Sequence, residues 1–343
     1  MVLHMPTRFL VLAFLSLSGL SFGQSLHIFP TELPASFRGL SVVSDQVVWV
    51  SGSMGTVGRT ADGGQTWKMA PIPGYEKVDF RSLYAFDSLQ ALVANAGSPM
   101  HVLRTNDGGR SWTKTLEVND SLAFADAIDF WNDQQGLLLG DPIGGKPMVY
   151  ETKDGGKTWS AVPSVGLPDW ETGEASFAAS GSTLQCLPDG KAWIASGGIR
   201  SRLWKSTDFG RSWTPVRVPI IQGKTSTGIY GMHFLPTGQA IVVGGDYTVD
   251  SLRTKHVYYS SNGGLSWAFP KVATRGYRES VVCAGGETWL AAGPSGIDIS
   301  RDGGKHWLPF SDEKGFHALR KARKGEQIWL AGAKGKRAVL RNP

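Results

Sequence analysis

The sequence predicts an all-β fold closed into a ring. Three observations carry this: a seven-residue box that recurs six times, apolar strands that recur in step with it, and an unpartnered strand at each end of the chain. Composition agrees with it. The 343 residues include 44 Gly and 13 Trp but only 2 Cys, and 19% are charged, which excludes collagen-like, disordered and coiled-coil chains. Length alone would admit two domains, yet a closed all-β ring often exceeds ~150 residues as one unit.

The first element is a leader. Arg8 precedes an apolar run at residues 9–20, and Ser21-Phe22-Gly23 places small residues one and three positions before a cut after Gly23. Residues 1–23 are therefore expected to be a signal peptide and residues 24–343 the mature domain, exported to the periplasm or beyond. The run is shorter than the roughly 17–25 residues that span a bilayer, and no Cys near the cut offers a lipid attachment site, so stable membrane insertion is not expected. Loss of Arg8 with the leader takes the net charge from +6 to +5, one cation fewer.

The repeats come next. Ala61-Asp62-Gly63-Gly64-Gln65-Thr66-Trp67 returns as Asn106-Asp107-Gly108-Gly109-Arg110-Ser111-Trp112 and Lys153-Asp154-Gly155-Gly156-Lys157-Thr158-Trp159. Further copies centre on Asp208, Asn262 and Asp302. The spacings are 45, 47, 54, 54 and 40 residues, about the length of one four-stranded propeller blade. Each residue type suits a tight hairpin: the acid accepts backbone amides, Gly supplies positive φ, Ser or Thr caps the turn, and Trp buries a ring as the next strand begins. Asp208-Phe209 lacks the first Gly and Asn262 replaces the acid, so those two turns are expected to be looser.

Four repeats also carry Trp at one strand position, Trp49, Trp193, Trp289 and Trp329, with Leu92, Leu138 and Ile241 as counterparts. Ten of the 13 Trp thus belong to the scaffold, leaving Trp131, Trp170 and Trp204 for any binding platform. After the last box come three strands with no fourth, and the mature N-terminus, Leu26-His27-Ile28-Phe29, precedes the first repeat without a partner. Pairing the two ends removes both exposed edges and gives a single seven-bladed β-propeller, with six blades the runner-up.

The box resembles the BNR or Asp-box repeat, in six copies across almost the whole mature chain. The resemblance implies a scaffold role for Asp62, Asp107, Asp154, Asp208, Asn262 and Asp302. Among such propellers the chain is similar to the photosystem II assembly and stability factor-like family, over residues 25–343. That family implies chaperone-like binding of a partner protein through an arginine-rich surface. Sialidases and β-glucan hydrolases share the box more distantly, and most glycosidases need two carboxylates flanking the scissile bond. Phe37-Arg38-Gly39-Leu40 departs from the sialidase start, and seven blades depart from their six.

Aligning the innermost strands brings Arg38, Arg81, Arg278 and His317 to one position, a contiguous basic arc at the channel mouth. Asp126, Tyr230 and Glu279 follow at the next position. Such an arc suits a carboxylate, phosphate or acidic peptide, unless Glu279 and Asp126 neutralise it in a wet channel. Two long connections, residues 166–174 with Trp170 and residues 245–253, emerge on the same face. Cys186 and Cys283 fall at matching positions two blades apart, on the order of 15 Å, beyond disulfide reach, and are expected to be buried free thiols. Residues 314–343 hold nine Lys or Arg against Glu326 alone, and Lys321, Arg323 and Lys324 read as a solvated basic turn.

The expected function is that of an exported, monomeric, non-catalytic propeller binding a protein or an anionic or acidic ligand at the mouth, in assembly or stability of a complex. Glycoside hydrolysis on Asp126, Glu279 and Tyr230 is the alternative. The seven His lack metal-ligand spacing and no phosphate-cradling loop or nucleic-acid motif occurs, so no cofactor, metal or nucleic acid is expected.

Overall fold

In the first box the Asp62 carboxylate accepts the Thr66 amide at 2.9 Å and the Thr66 hydroxyl at 2.5 Å. A second hydroxyl completes the turn. Thr60, two residues before the acid, donates to Asp62 at 2.8 Å and accepts the Gly64 amide at 2.9 Å. Thr105, Thr152, Ser206, Ser260 and Ser300 do the same in the other boxes, so the motif extends two positions upstream of the part read from the sequence. The two divergent turns are not looser. Asp208 accepts the Ser212 amide at 3.0 Å and its hydroxyl at 2.6 Å, with Phe209 taking the positive φ of 61°. Asn262 accepts the Ser266 amide at 3.0 Å and reverses one polarity by donating its own amide to the Ser266 hydroxyl at 2.8 Å.

These turns join the two outer strands of sheets that the computed structural model describes over residues 25–31 and 33–341. The expected leader, residues 1–23, lies outside the described residues. Seven antiparallel sheets follow in chain order, the first built from Phe37–Val42, Val48–Gly52, Thr56–Thr60 and Lys68–Pro71 from the axis outward. The later innermost strands are Ser82–Ala85, Ala125–Phe130, Leu184–Leu187, Thr227–Phe234, Ser280–Gly285 and Phe316–Lys321. Blade five departs from four strands, since its outer position holds a lone bridge between Tyr259 and Ala268.

Neighbouring blades lock through the second Gly of each box. A Cβ on Gly64 would lie 2.8 Å from Trp329 of blade seven, and one on Gly264 would lie 3.1 Å from Trp193 of blade four. Gly109 meets Trp49, Gly156 meets Leu92, Gly210 meets Leu137 and Gly304 meets Ile241 in the same way. The strand-two counterpart in blade three is therefore Leu137, one residue before the expected Leu138. Trp49, Trp193, Trp289 and Trp329 are all buried, which confirms their place in the scaffold.

The ends close the ring. Ser25–Ile28 pairs antiparallel with Arg337–Arg341 as the outermost strand of blade seven, in the register Leu26 to Leu340. Phe29 then stacks on Trp329 with centroids 5.4 Å apart, its amide donating to the Arg337 carbonyl at 2.9 Å. The covalent break thus lies inside blade seven, between Arg337–Arg341 and Ser25–Ile28, and the chain runs on from Ser25–Ile28 into Phe37–Val42 of blade one.

Replacing Phe29 with Ala is expected to cost about 3 kcal/mol, the usual loss for a buried aromatic, seen as a lower urea midpoint. Thr152→Val keeps shape but leaves the Gly156 amide unpaired inside the turn, and is expected to cost about 1–3 kcal/mol in the same measurement.

Candidate functional site

In four blades the innermost strand slips register by one residue as it leaves the mouth. The residue skipped is Arg38 in blade one, Asp126 in blade three, Tyr230 in blade five and His317 in blade seven. These are the true equivalents, so the alignment that set Asp126 and Tyr230 one position after Arg38 and His317 is one residue out.

Blade four does something different at this level. Its chain leaves the sheet at residues 176–183 and lies across the axis. The proof is in its partners: the Ala179 carbonyl accepts from Arg38 of blade one at 2.9 Å, the Ser180 carbonyl from Arg320 of blade seven at 2.8 Å, and the Ser180 hydroxyl donates to the Glu279 carbonyl of blade six at 2.8 Å. Phe177 stacks on Tyr230 of blade five, 3.9 Å between centroids. A segment touching blades on the far side of the ring must cross it, and this one plugs the channel.

The plug changes the meaning of the mouth charges. Arg38 holds a plug carbonyl and lies 3.5 Å from Glu279, which also takes His317 Nδ1 at 2.6 Å and the Tyr277 hydroxyl at 3.1 Å. Arg81 stands apart with Asp79 at 2.7 Å, its side chain 33% exposed. Arg278 is not at the mouth at all. It is 0% exposed, paired with Asp298 at 2.6 Å and donating to the Tyr277 carbonyl at 2.7 Å. The structure therefore brings Arg38, Glu279 and His317 together, leaves Arg81 separate, and removes Arg278 from the expected arc.

The groups assigned to hydrolysis are similarly committed. Both Asp126 oxygens are buried without a hydrogen-bond partner. Burial pushes its carboxyl well above the usual range, Asp141 adds to this and Arg81 opposes it. A carboxyl that keeps its proton is no base. The Tyr230 hydroxyl donates to the Ser226 carbonyl at 2.8 Å rather than to a carboxylate, and burial raises its pKa further. Trp170 is also no platform, since it packs in the core with Leu167 and Trp204. Its loop is anchored by Lys146 on Asp169 at 2.6 Å and by Arg202 on the buried Glu174.

Below the plug lies an axial cavity of about 260 Å³. Its wall includes one residue from each of six innermost strands at the same level: Ser41, Tyr84, Asp129, Gln185, His233 and Arg320. Each pairs across the blade with the strand-two Trp or its counterpart, Trp49, Leu92, Leu137, Trp193, Ile241 and Trp329. That pairing is the signal that would have found this polar layer in the sequence. Burial lifts Asp129 to about 6 against the Cys186 amide it accepts, and burial with Arg320 and Lys321 pulls His233 down to about 4. Arg323 lies over the Tyr84 ring at 4.5 Å and lines the cavity while staying exposed, as Lys324 does, so the basic turn is solvated as expected and also reaches the cavity wall. Cys186 and Cys283 are both free; Cys186 is half-buried on this wall and sits opposite Ala192, whereas Cys283 is buried opposite Trp289, so their positions do not match. Among the described residues no three His, Cys, Asp or Glu side chains converge as metal ligands.

With this geometry in place, similarity to known proteins becomes specific. The family model described as photosynthesis system II assembly factor YCF48 matches residues 29–122. The photosystem II assembly lipoprotein Ycf48 of Synechococcus sp. (strain CC9902) is 25% identical over 248 residues, 63% of this chain and 69% of the relative. The chain is similar to the photosystem II assembly and stability factors. The chloroplastic stability/assembly factor HCF136 of Arabidopsis thaliana is 25% identical over 276 residues, covering 75% of this chain and 62% of the relative, so the match spans under two thirds of that longer protein. Two solved structures share the fold: YCF48 bound to D1 peptide (TM-score 0.66, 19% identity, 93% of this chain and 97% of that one) and YCF48 from Cyanidioschyzon merolae (TM-score 0.67, 18% identity, 92% and 98%). At those identities the fold is what is shared.

Asp141 of this assembly-factor-like propeller predicts a pH effect. Burial raises its carboxyl from 3.8 to about 6, partly offset by the Ser176 amide. A carboxyl raised on folding favours the folded state at low pH, and that contribution fades as pH rises from about 4 through about 6. Asp141→Asn is therefore expected to leave stability at pH 3.5–4 unchanged and to raise it at pH 7 by up to about 3 kcal/mol, read as the denaturant midpoint against pH.

Proposed function

We propose that this chain is an exported, non-catalytic, monomeric propeller that binds a protein partner through its mouth face and serves the assembly or stability of a complex. The plug carries the reading. With residues 176–183 across the axis, the mouth offers a broad surface rather than an entry for a small substrate. That surface carries exposed apolar side chains on the mouth-side connections: Leu122, Ile199, Tyr247 and Val249. Tyr247 is 58% exposed and sits in the long blade-five connection, which suits an aromatic anchor. Arg81, its side chain 33% exposed with Asp79 on its Nε, offers its remaining N–H donors to a carboxylate of the partner.

The relatives support the same role. They are named as assembly and stability factors, and one solved neighbour is described as bound to a D1 peptide. What this chain assembles is set by its own surface. The hydrolase alternative draws no support from Asp126 and Tyr230, whose surroundings keep one protonated and the other turned to a carbonyl.

Capture of an exported partner by immobilised protein tests the mouth. Arg81→Glu with Tyr247→Asp is expected to reduce capture about tenfold or more with the unfolding midpoint unchanged, and capture should weaken as salt rises. Undiminished capture by the variant would place the partner elsewhere. Export has its own measurement: the intact mass of the secreted protein should lack residues 1–23 and begin at Gln24, and a mass retaining them would reject the leader.

A further inference from the structure

We propose that the axial cavity below the plug is a binding site for a small oxyanion, gripped by Arg320 and Arg323. Its gripping residues are not those of the mouth reading: Ser180 and Gly181 of the plug form part of the wall, and Arg81 reaches it while Arg38 and Tyr247 do not line it.

Charge on the wall is one-sided. The cavity is lined by Arg81, Arg320, Lys321 and Arg323 against a single carboxylate, Asp129. Arg81 is answered by Asp79 and Lys321 by Glu326, at 2.7 and 2.6 Å. Among the described residues neither Arg320 nor Arg323 has a carboxylate within ion-pair distance. Two guanidinium charges, Arg320 partly buried and Arg323 reaching solvent, thus share the one nearby carboxylate of Asp129, and an anion in the cavity balances the second.

Both guanidinium groups are held in place without being neutralised. Arg320 donates to the carbonyls of Leu319 at 3.0 Å and Ser180 at 2.8 Å and to the Ser280 hydroxyl at 3.3 Å. Arg323 donates to the Ser41 hydroxyl at 3.1 Å and to the Ala85 carbonyl, with its plane over Tyr84. An Arg has five N–H donors, so donors remain for a ligand. Neutral acceptors fix geometry and leave the charge free, the arrangement expected of a preorganised oxyanion grip. Burial lowers Arg320 to about 10, so it stays a cation at neutral pH.

Size limits the ligand. A cavity of about 260 Å³ falls below the roughly 300–1,000 Å³ of sites for drug-sized molecules, which points to a phosphate or a compact dicarboxylate. Ser41, Gln185 and His233 on the same layer offer further neutral polar groups to its oxygens.

Thermal unfolding of the mature protein, followed by tryptophan fluorescence, tests this with inorganic phosphate, malonate and sodium chloride at matched ionic strength. A saturable rise in midpoint with phosphate or malonate, beyond that with chloride, is expected, and the two arms tell which oxyanion fits. Arg323→Gln should weaken the response about tenfold or more, the loss of a charge-assisted hydrogen bond, and Arg320→Gln likewise. Tyr247→Asp at the mouth should leave it unchanged. No rise beyond chloride, or a rise that Arg323→Gln retains in full, overturns the site. Should Arg320→Gln fail to fold, Arg323→Gln and the wild-type titration decide alone.

Discussion

The ring depends on a contact in which the box of one blade receives the large strand-two side chain of the blade before it. Six times a glycine in positive φ leaves the space that a Trp, Leu or Ile from the preceding blade fills. The turn must be rigid for this to work, and its rigidity comes from one side chain accepting both an amide and a hydroxyl, with a second hydroxyl buttressing it. In the Asp62 box the Thr66 hydroxyl and amide hold the acid down at about 2, so it is ionised wherever the protein is folded at ordinary pH. Local hydrogen bonding thus sets the angle between sheets. Blade seven, which has no box, meets blade six through apolar strand faces, with Leu290 and Ile299 against Leu319 and Leu330, and through the Ser280 hydroxyl, which donates to the Leu319 carbonyl and accepts its amide.

Closing a ring leaves an axis, and the axis is where polar residues accumulate. The plug divides it into two environments. Above, Arg38, Glu279 and His317 form a neutralised cluster that fastens the plug. Below, Arg320 and Arg323 face a cavity with too little negative charge. The same residue type therefore acts as a structural clamp at one level and as an open grip at the next, and Arg320 does both, since it also holds the Ser180 carbonyl.

The fold was legible because its signals repeat. Box spacing, the strand Trp and the unpaired termini each point to the same ring, and the pairing of Leu26 with Leu340 realises it. The site was less legible because its residues occur once each. Arg278 and His317 look alike in an ungapped alignment, yet a register slip puts His317 on the rim, whereas Arg278 is turned into a salt bridge with Asp298. The plug gives no pattern at all: Phe177-Ala178-Ala179-Ser180 holds neither a box nor a strand Trp, and only contacts across the ring reveal it. Trp170 misled for a different reason, since a loop can bury its aromatic to anchor itself.

The strand at Ser25–Ile28 is made first and seated last. Its partner, Arg337–Arg341, is the end of the described chain, so more than 300 residues must be synthesised before the two can meet. Until then Phe29 has no Trp329 to stack on, and the first blade has no neighbour on one side. The ring is therefore a timer: a chain that stops short of Arg337 cannot acquire the closed form and leaves a sheet edge unpaired. Synthesis of Arg337–Arg341 is the step that permits closure.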